Sequence, residues 1–234
     1  MLQQSSRYIL KAVKSVRKGK KVVSLFDYIN NIEALLKLKS GAKTVEDLLE
    51  PEHLLQAMSV RAAFALKRVY DMLDQSDASE KEKQNDLMAL DILKMTRHHM
   101  NYMLALMAWE KKSTYHFRDF RIRPILDTLL KIFIIKELQT DLSHLYETGF
   151  FGPGAGALLD EGFKLVLQQL RPHMVNLVET SQSVETYNIS FIGNKHGDIY
   201  EKQLEHMMGT KLNEKPRPRY YEKYMKPVMT HPKL

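Results

Sequence analysis

An all-α helical bundle is the fold class that this chain predicts, and three observations predict it. The 234 residues are 44% hydrophobic, enough to bury the core of one large or two small domains. Helix formers are plentiful while prolines number only 8. Apolar positions recur at helical spacing, and alternating apolar and polar runs of strand length are nearly absent.

The first element opens the chain. In MLQQSSRYILKAVKSVRKGKK, residues Leu2, Tyr8, Ile9, Val13 and Val16 form one apolar stripe. No starting signal precedes it: a cap at Ser5 or Ser6 would discard the first turn, and neither has Glu or Gln three residues on. The helix reads as entered partway along. Its end is expected near Lys18, where Gly19 supplies a stop and Arg17, Lys18 and Lys20 suit the carbonyl end of the dipole. A second helix is expected from about Lys21 through Leu38, stopping at Ser40 and Gly41. The segment from Lys43 to Leu73 predicts a short turn and then a long helix, with Pro51 at its first position and Glu50 and Glu52 at the positive end.

Asp74 to Asp86 (DQSDASEKEKQND) has no apolar residue beyond Ala78 and reads as an exposed connection. The helix after it is apolar on several faces and rich in methionine, which suits irregular packing deep in a bundle. A loop near Ser113 leads to a further helix, and Pro124 ends or kinks whatever precedes it. Ile125 to Leu142 is the longest apolar run, but Asp127, Lys131, Lys136 and Glu137 lie inside it. It predicts a buried amphipathic helix, because a membrane span needs about 20 mainly apolar residues. A glycine-rich turn at Gly152 to Gly156 then opens a helix bent near Pro172.

Composition removes several function classes. No cysteine is present, which excludes disulfide frameworks, zinc-thiolate sites and cysteine nucleophiles. No signal peptide is visible at the start, since basic residues are scattered through it without a distinct apolar segment. The net charge of +7 concentrates in two runs, Lys14–Lys21 and Lys215–Pro227. No helix-turn-helix, zinc-finger or aromatic RNA-binding signature accompanies them, so they read as solvated faces and no nucleic-acid partner is expected. A coenzyme A phosphate or an anionic partner accounts for the same charge.

Few residues suggest chemistry. His98 and His99 are adjacent, and neighbouring helical positions diverge by about 100°, so the two cannot chelate one ion together. With no Glu-x-x-His or His-x-x-x-His pattern nearby, they read as packed or exposed helix residues and no metal site is expected. Gly152 to Gly156 (GPGAG) lacks the Lys-Ser/Thr of a phosphate loop and no strand precedes it, so it predicts a tight helix-helix turn. His196 and Asp198 stand two apart beside Gly197, a pattern of turn and cap chemistry in which Asp198 accepts backbone hydrogen bonds at a helix start. Trp109, the one tryptophan, is expected to fill core volume. No catalytic residue emerges.

The tail carries a resemblance. NISFIGNKHGDIYEKQLEHMMGTKLNEKPRPRYYEKYMKPVM resembles the C-terminal end of acyl-CoA oxidases, with Gly197, Tyr200, Glu201, Leu212, Asn213, Tyr224, Lys226 and Pro227 in the family's order. EPEHLLQAMSVRAAFALKRV resembles the family's Pro-Glu-x-Leu and Arg-Ala-Ala helix, and MLQQSSRYILKAVKSVRKGK its Met-Leu-Gln-x-x-Arg-Tyr-Leu helix. Lys195-His196 departs from the family's Tyr-Asp, Asp198 from Asn, and Thr210-Lys211 from Ser-Pro; all are turn positions.

The resemblance implies the C-terminal helical domain of a FAD-dependent acyl-CoA oxidase, within the acyl-CoA dehydrogenase superfamily. Residues 1–45 would be a remnant of the first helical bundle and 46–234 the C-terminal domain. In the family a glutamate removes the substrate α-proton, hydride passes to flavin, and oxygen reoxidises the flavin to give hydrogen peroxide. That glutamate, the flavin-binding domain and most of the first bundle would fall upstream of Met1. The implied chain is therefore catalytically silent alone, not expected to retain FAD, and engaged in packing as a homodimer or with oxidase subunits. The alternative is a non-catalytic helical module that pairs with itself or with full-length oxidase subunits. Pro232, Lys233 and Leu234 resemble a C-terminal peroxisomal import tripeptide, with Pro232 departing from the usual small residue, and with the family they imply the peroxisomal matrix.

Overall fold

The computed structural model describes residues 2–79, 82–180, 198–211 and 220–230. Every regular element among them is helical. The chain divides into two compact units, Met1–Pro172 and His173–Leu234.

In the first unit, α1 (Leu2–Arg17) turns Ile9, Leu10 and Val13 inward. Its end is the expected one. Gly19 adopts φ 77°, its N–H donates to the Val16 carbonyl, and Lys20 N–H donates to the Ser15 carbonyl, the paired bonds of a glycine-terminated helix.

The next segment departs from expectation. Instead of one helix from Lys21 to Leu38, a 3-10 turn spans Ser24–Asn31 and only α2 (Ile32–Leu35) is α-helical. Two local features explain the difference. Ser24 sits at φ 64°, which interrupts a right-handed helix before it forms. The Asn30 amide closes a loop on Val22, accepting from its N–H at 3.0 Å and donating to its carbonyl at 2.7 Å. A side chain thus supplies bonds that the helix would have made with backbone.

Thr44 opens α3 (Val45–Leu48) with a reciprocal capping box to Asp47. Pro51 then starts α4 (Pro51–Gln75) at its first position, as expected. Alanines 57, 62, 63 and 65 are buried there, and their small side chains let neighbours approach from several sides. Helix α4 packs against α5 (Ala89–Thr114), α6 (Ile122–Thr140), α7 (Ser143–Glu147) and α2. It is the axis of the unit. Each large apolar side chain that it buries, such as Leu54, Met58 or Leu66, contributes about 1.5–3 kcal/mol.

The connection after α4 is less exposed than its composition implies. Lys83 is buried, and its ammonium donates to the Leu73 carbonyl at 3.1 Å, so a cation supplies a donor in the last turns of α4. Residues Lys83–Leu87 form a π-turn leading into α5. The methionines of α5 divide: Met95 and Met103 are buried, whereas Met100 and Met107 are exposed beside Leu93 and Leu104. Pro124 sits in the first turn of α6, where its missing N–H costs nothing.

A glycine turn joins α7 to α8 (Ala155–Leu170), with Gly154 at φ 89° in the cap position. Helix α8 packs on α6 and α3. A 3-10 turn at Arg171–His173 then breaks the α-helical run at Pro172. The second unit holds α9 (Met174–Glu179), α10 (Ile199–Gly209) and α11 (Lys226–Thr230), and none of these helices buries a residue. Among the described residues, no helix is long and apolar enough to cross a membrane.

Candidate functional site

A cluster of buried and half-buried polar residues lies where α4 and α5 face the corner between α6 and α7. Arg61 of α4 is fully buried, and one guanidinium nitrogen donates to the Glu137 carbonyl in the last turn of α6. A cation at that carbonyl end is favoured by the helix dipole. Its other two nitrogens, Nε and Nη2, have no hydrogen-bond partner. Burial pulls the guanidinium down to about 10, with the Glu137 and Asp141 charges opposing the shift.

Asp141 ends α6 in an extended conformation, and its carboxylate accepts from the Ser143 hydroxyl at 2.6 Å. This local bond turns the chain into α7 and brings His144 back toward α5. There His98 Nε2–H donates to Asp141 Oδ2 at 3.1 Å, and the His98 and His144 rings lie edge to face at 5.4 Å. Lys94 completes the corner with an ammonium 2.7 Å from the same carboxylate oxygen.

The electrostatics follow from burial. Desolvation, reinforced by Arg61, lowers His98 to about 3 despite Asp141 nearby, and desolvation also lowers His144. Both rings are neutral at neutral pH. Burial pushes Asp141 up, but hydrogen bonds from Lys94 and Ser143 outweigh it and hold the carboxyl below its ordinary value.

His99 faces elsewhere, as adjacent helical positions require. Its Nδ1 shares a 2.9 Å hydrogen bond with the Tyr28 hydroxyl, and its ring stacks on Phe26 at 5.3 Å. Burial lowers His99 to about 4 and raises Tyr28. The pair holds the 3-10 turn against α5.

The other sequence candidates divide. Gly152 to Gly156 is a helix-helix turn, as expected. Two of its N–H groups are engaged: Gly156 N–H donates to the Tyr146 hydroxyl at 3.1 Å and Ala155 N–H to the Gly152 carbonyl at 3.3 Å. Asp198 caps α10 by position, but contrary to expectation its side chain makes no capping bond; only its carbonyl accepts, from Lys202 N–H at 3.1 Å. Trp109 is half-buried rather than a core filler, and the Lys112 ammonium sits 3.4 Å from its ring centroid while pairing with Asp127. His196, Gly197, Leu212, Asn213 and the Pro232-Lys233-Leu234 ending lie outside the described residues.

Sequence reasoning missed Arg61, Asp141 and His144. The available signal was Asp141-x-x-His144, but a helix break falls inside that spacing.

A sequence profile described as acyl-CoA oxidase matches residues 50–230. The chain belongs to the acyl-CoA oxidase family. Peroxisomal acyl-coenzyme A oxidase 1 of Arabidopsis thaliana is 25% identical over 226 residues, which are 97% of this chain and 34% of that protein. The Homo sapiens protein of the same description is 22% identical over 219 residues, 92% of this chain and 33% of its own length. Among solved structures, Arabidopsis thaliana acyl-CoA oxidase 1 superposes with a TM-score of 0.83 at 24% identity, covering 98% of this chain and 34% of that one. The tomato acyl-CoA oxidase LeACX1 gives 0.84 at 24% identity, covering 97% and 34%. These likenesses show the fold, that of acyl-CoA oxidases. The chain spans about a third of the length of these relatives.

Proposed function

We propose that this chain is the C-terminal helical part of a FAD-dependent, peroxisomal acyl-CoA oxidase of fatty-acid β-oxidation, which converts acyl-CoA and oxygen to trans-2-enoyl-CoA and hydrogen peroxide. The family match over residues 50–230 carries the reading. Within it, residues 1–45 belong to the first helical bundle and 46–234 to the C-terminal domain. The chain by itself is inactive and serves packing and subunit contact as a homodimer or with oxidase subunits. FAD belongs to the whole oxidase and is not retained by this chain alone. A peroxisomal location is supported by the descriptions of the relatives.

A second reading, a non-catalytic module pairing with itself or with full-length oxidase subunits, is favoured by one feature. Leu93, Met100, Leu104 and Met107 share a face of α5 and are 37% to 54% exposed. An apolar stripe of this kind favours association.

Two measurements test the proposal. After incubation with FAD and desalting, the visible spectrum of the purified chain is expected to carry no flavin bands; stoichiometric flavin would overturn the cofactor part. Sedimentation velocity is expected to give a dimer, and a monomer at every concentration would remove the self-association part.

A further inference from the structure

The corner of α5, α6 and α7 holds more than an ion pair. One ligand atom from each of His98, Asp141 and His144 lies within 4.8 Å of the other two. The His98 Nε2 to Asp141 Oδ2 separation of 3.1 Å is close to the roughly 3.3 Å donor-donor edge of a tetrahedron with metal bonds of about 2.0 Å. Each imidazole belongs to a residue only 4% exposed, and in each the Nδ1 is buried with no hydrogen-bond partner. An ion bound at Nδ1 of His144 would relieve a cost of about 1–3 kcal/mol, whereas His98, which faces Asp141 through Nε2, would keep its Nδ1 without a partner.

We propose that His98, Asp141 and His144 bind a divalent transition-metal ion of the zinc class. Two imidazoles and one carboxylate form the nitrogen and oxygen donor set that such an ion prefers, with water able to take a fourth position. The ion would tie α5 to the corner between α6 and α7, joining segments 43 residues apart in the chain. Its role is structural, and the site stands whether or not the chain acts as part of an oxidase.

Two cations oppose the ion. Lys94 holds the Asp141 carboxylate, yet its side chain is 45% exposed and free to turn toward water. Arg61 is fixed by burial, and the Glu137 carboxylate beside it offsets its charge. Lys94 is therefore the competitor whose removal is informative.

The test uses the untagged 234-residue chain, stripped with chelator and titrated with Zn2+ by calorimetry, with Co2+ as a coloured probe of tetrahedral coordination. One ion per chain and a rise in Tm at saturating Zn2+ are expected. His144→Gln and Asp141→Asn should each weaken binding by at least about tenfold. Lys94→Met should tighten it, and His116→Gln, at an exposed histidine, should leave it unchanged. No binding, or binding that the ligand substitutions do not weaken, overturns the proposal. If those variants fail to fold by circular dichroism, Lys94→Met decides, since it retains all three donors: an affinity equal to that of the starting chain overturns the proposal.

Discussion

Acidification from pH 7 to pH 5 should cost this fold a large part of its stability, and two histidines set the amount. His98 and His99 have ordinary values of 6.5 that burial lowers to about 3 and about 4. Over this interval the unfolded chain takes up protons at both rings and the folded chain does not. Stability from these groups is complete above about pH 6.5 and is lost as pH falls toward the folded values. At about 1.4 kcal/mol per pH unit below the unfolded value, each ring loses roughly 2 kcal/mol by pH 5, and the pair about 4 kcal/mol. Domains are typically stable by only about 5–15 kcal/mol. His144 and His53 are lowered by burial and act with the same sign. Asp141 does not contribute here, because its lowered value makes stability fall only below about pH 4, where the unfolded carboxyl begins to protonate. The assay is urea unfolding at both pH values with linear extrapolation. His98→Gln and His99→Gln should each remove about 2 kcal/mol of the dependence, since an amide does not titrate. A flat profile, or greater stability at pH 5, would refute the reasoning.

Arg61→Met should be within about 2 kcal/mol of the starting chain or more stable, because a buried charge with two unpaired nitrogens is replaced by apolar volume; Arg61→Ala adds a cavity and should cost about 3–5 kcal/mol, both read from thermal unfolding. Tyr28→Phe removes the hydroxyl bound to His99 Nδ1 and should cost about 1–2 kcal/mol in urea unfolding. Gly154→Ala puts a side chain at φ 89° with open space around its Cβ, so the loss of about 1–2 kcal/mol should come from backbone conformation alone, and Gly154→Asn should lose less by the same assay.

Elements with backbone punctuation were legible. Gly19, Pro51, Pro124 and the Gly152–Gly156 turn each act through their own φ or missing N–H, so the residue type suffices to locate the boundary. The segment from Lys21 to Leu38 was misread because its helical spacing is real but the amide of Asn30 and the left-handed Ser24 divert the backbone. Composition also failed at Lys83, where a charged residue in a polar connection turns inward to a carbonyl of α4. The corner site was invisible for a geometric reason. His98 meets partners more than 40 residues away, and Asp141 and His144 belong to different elements, so no single helical period brings them together. The spacing argument remains right about what it addressed: His98 and His99 do point apart.

The central claim is that these helices are the non-catalytic C-terminal part of an acyl-CoA oxidase. Its most direct test is hydrogen peroxide production by the purified 234-residue chain, supplied with excess FAD, oxygen and medium-chain or long-chain acyl-CoA. The account predicts no peroxide above a protein-free control. Enzyme-dependent peroxide that scales with chain concentration would contradict it and require a catalytic base and flavin site within these residues.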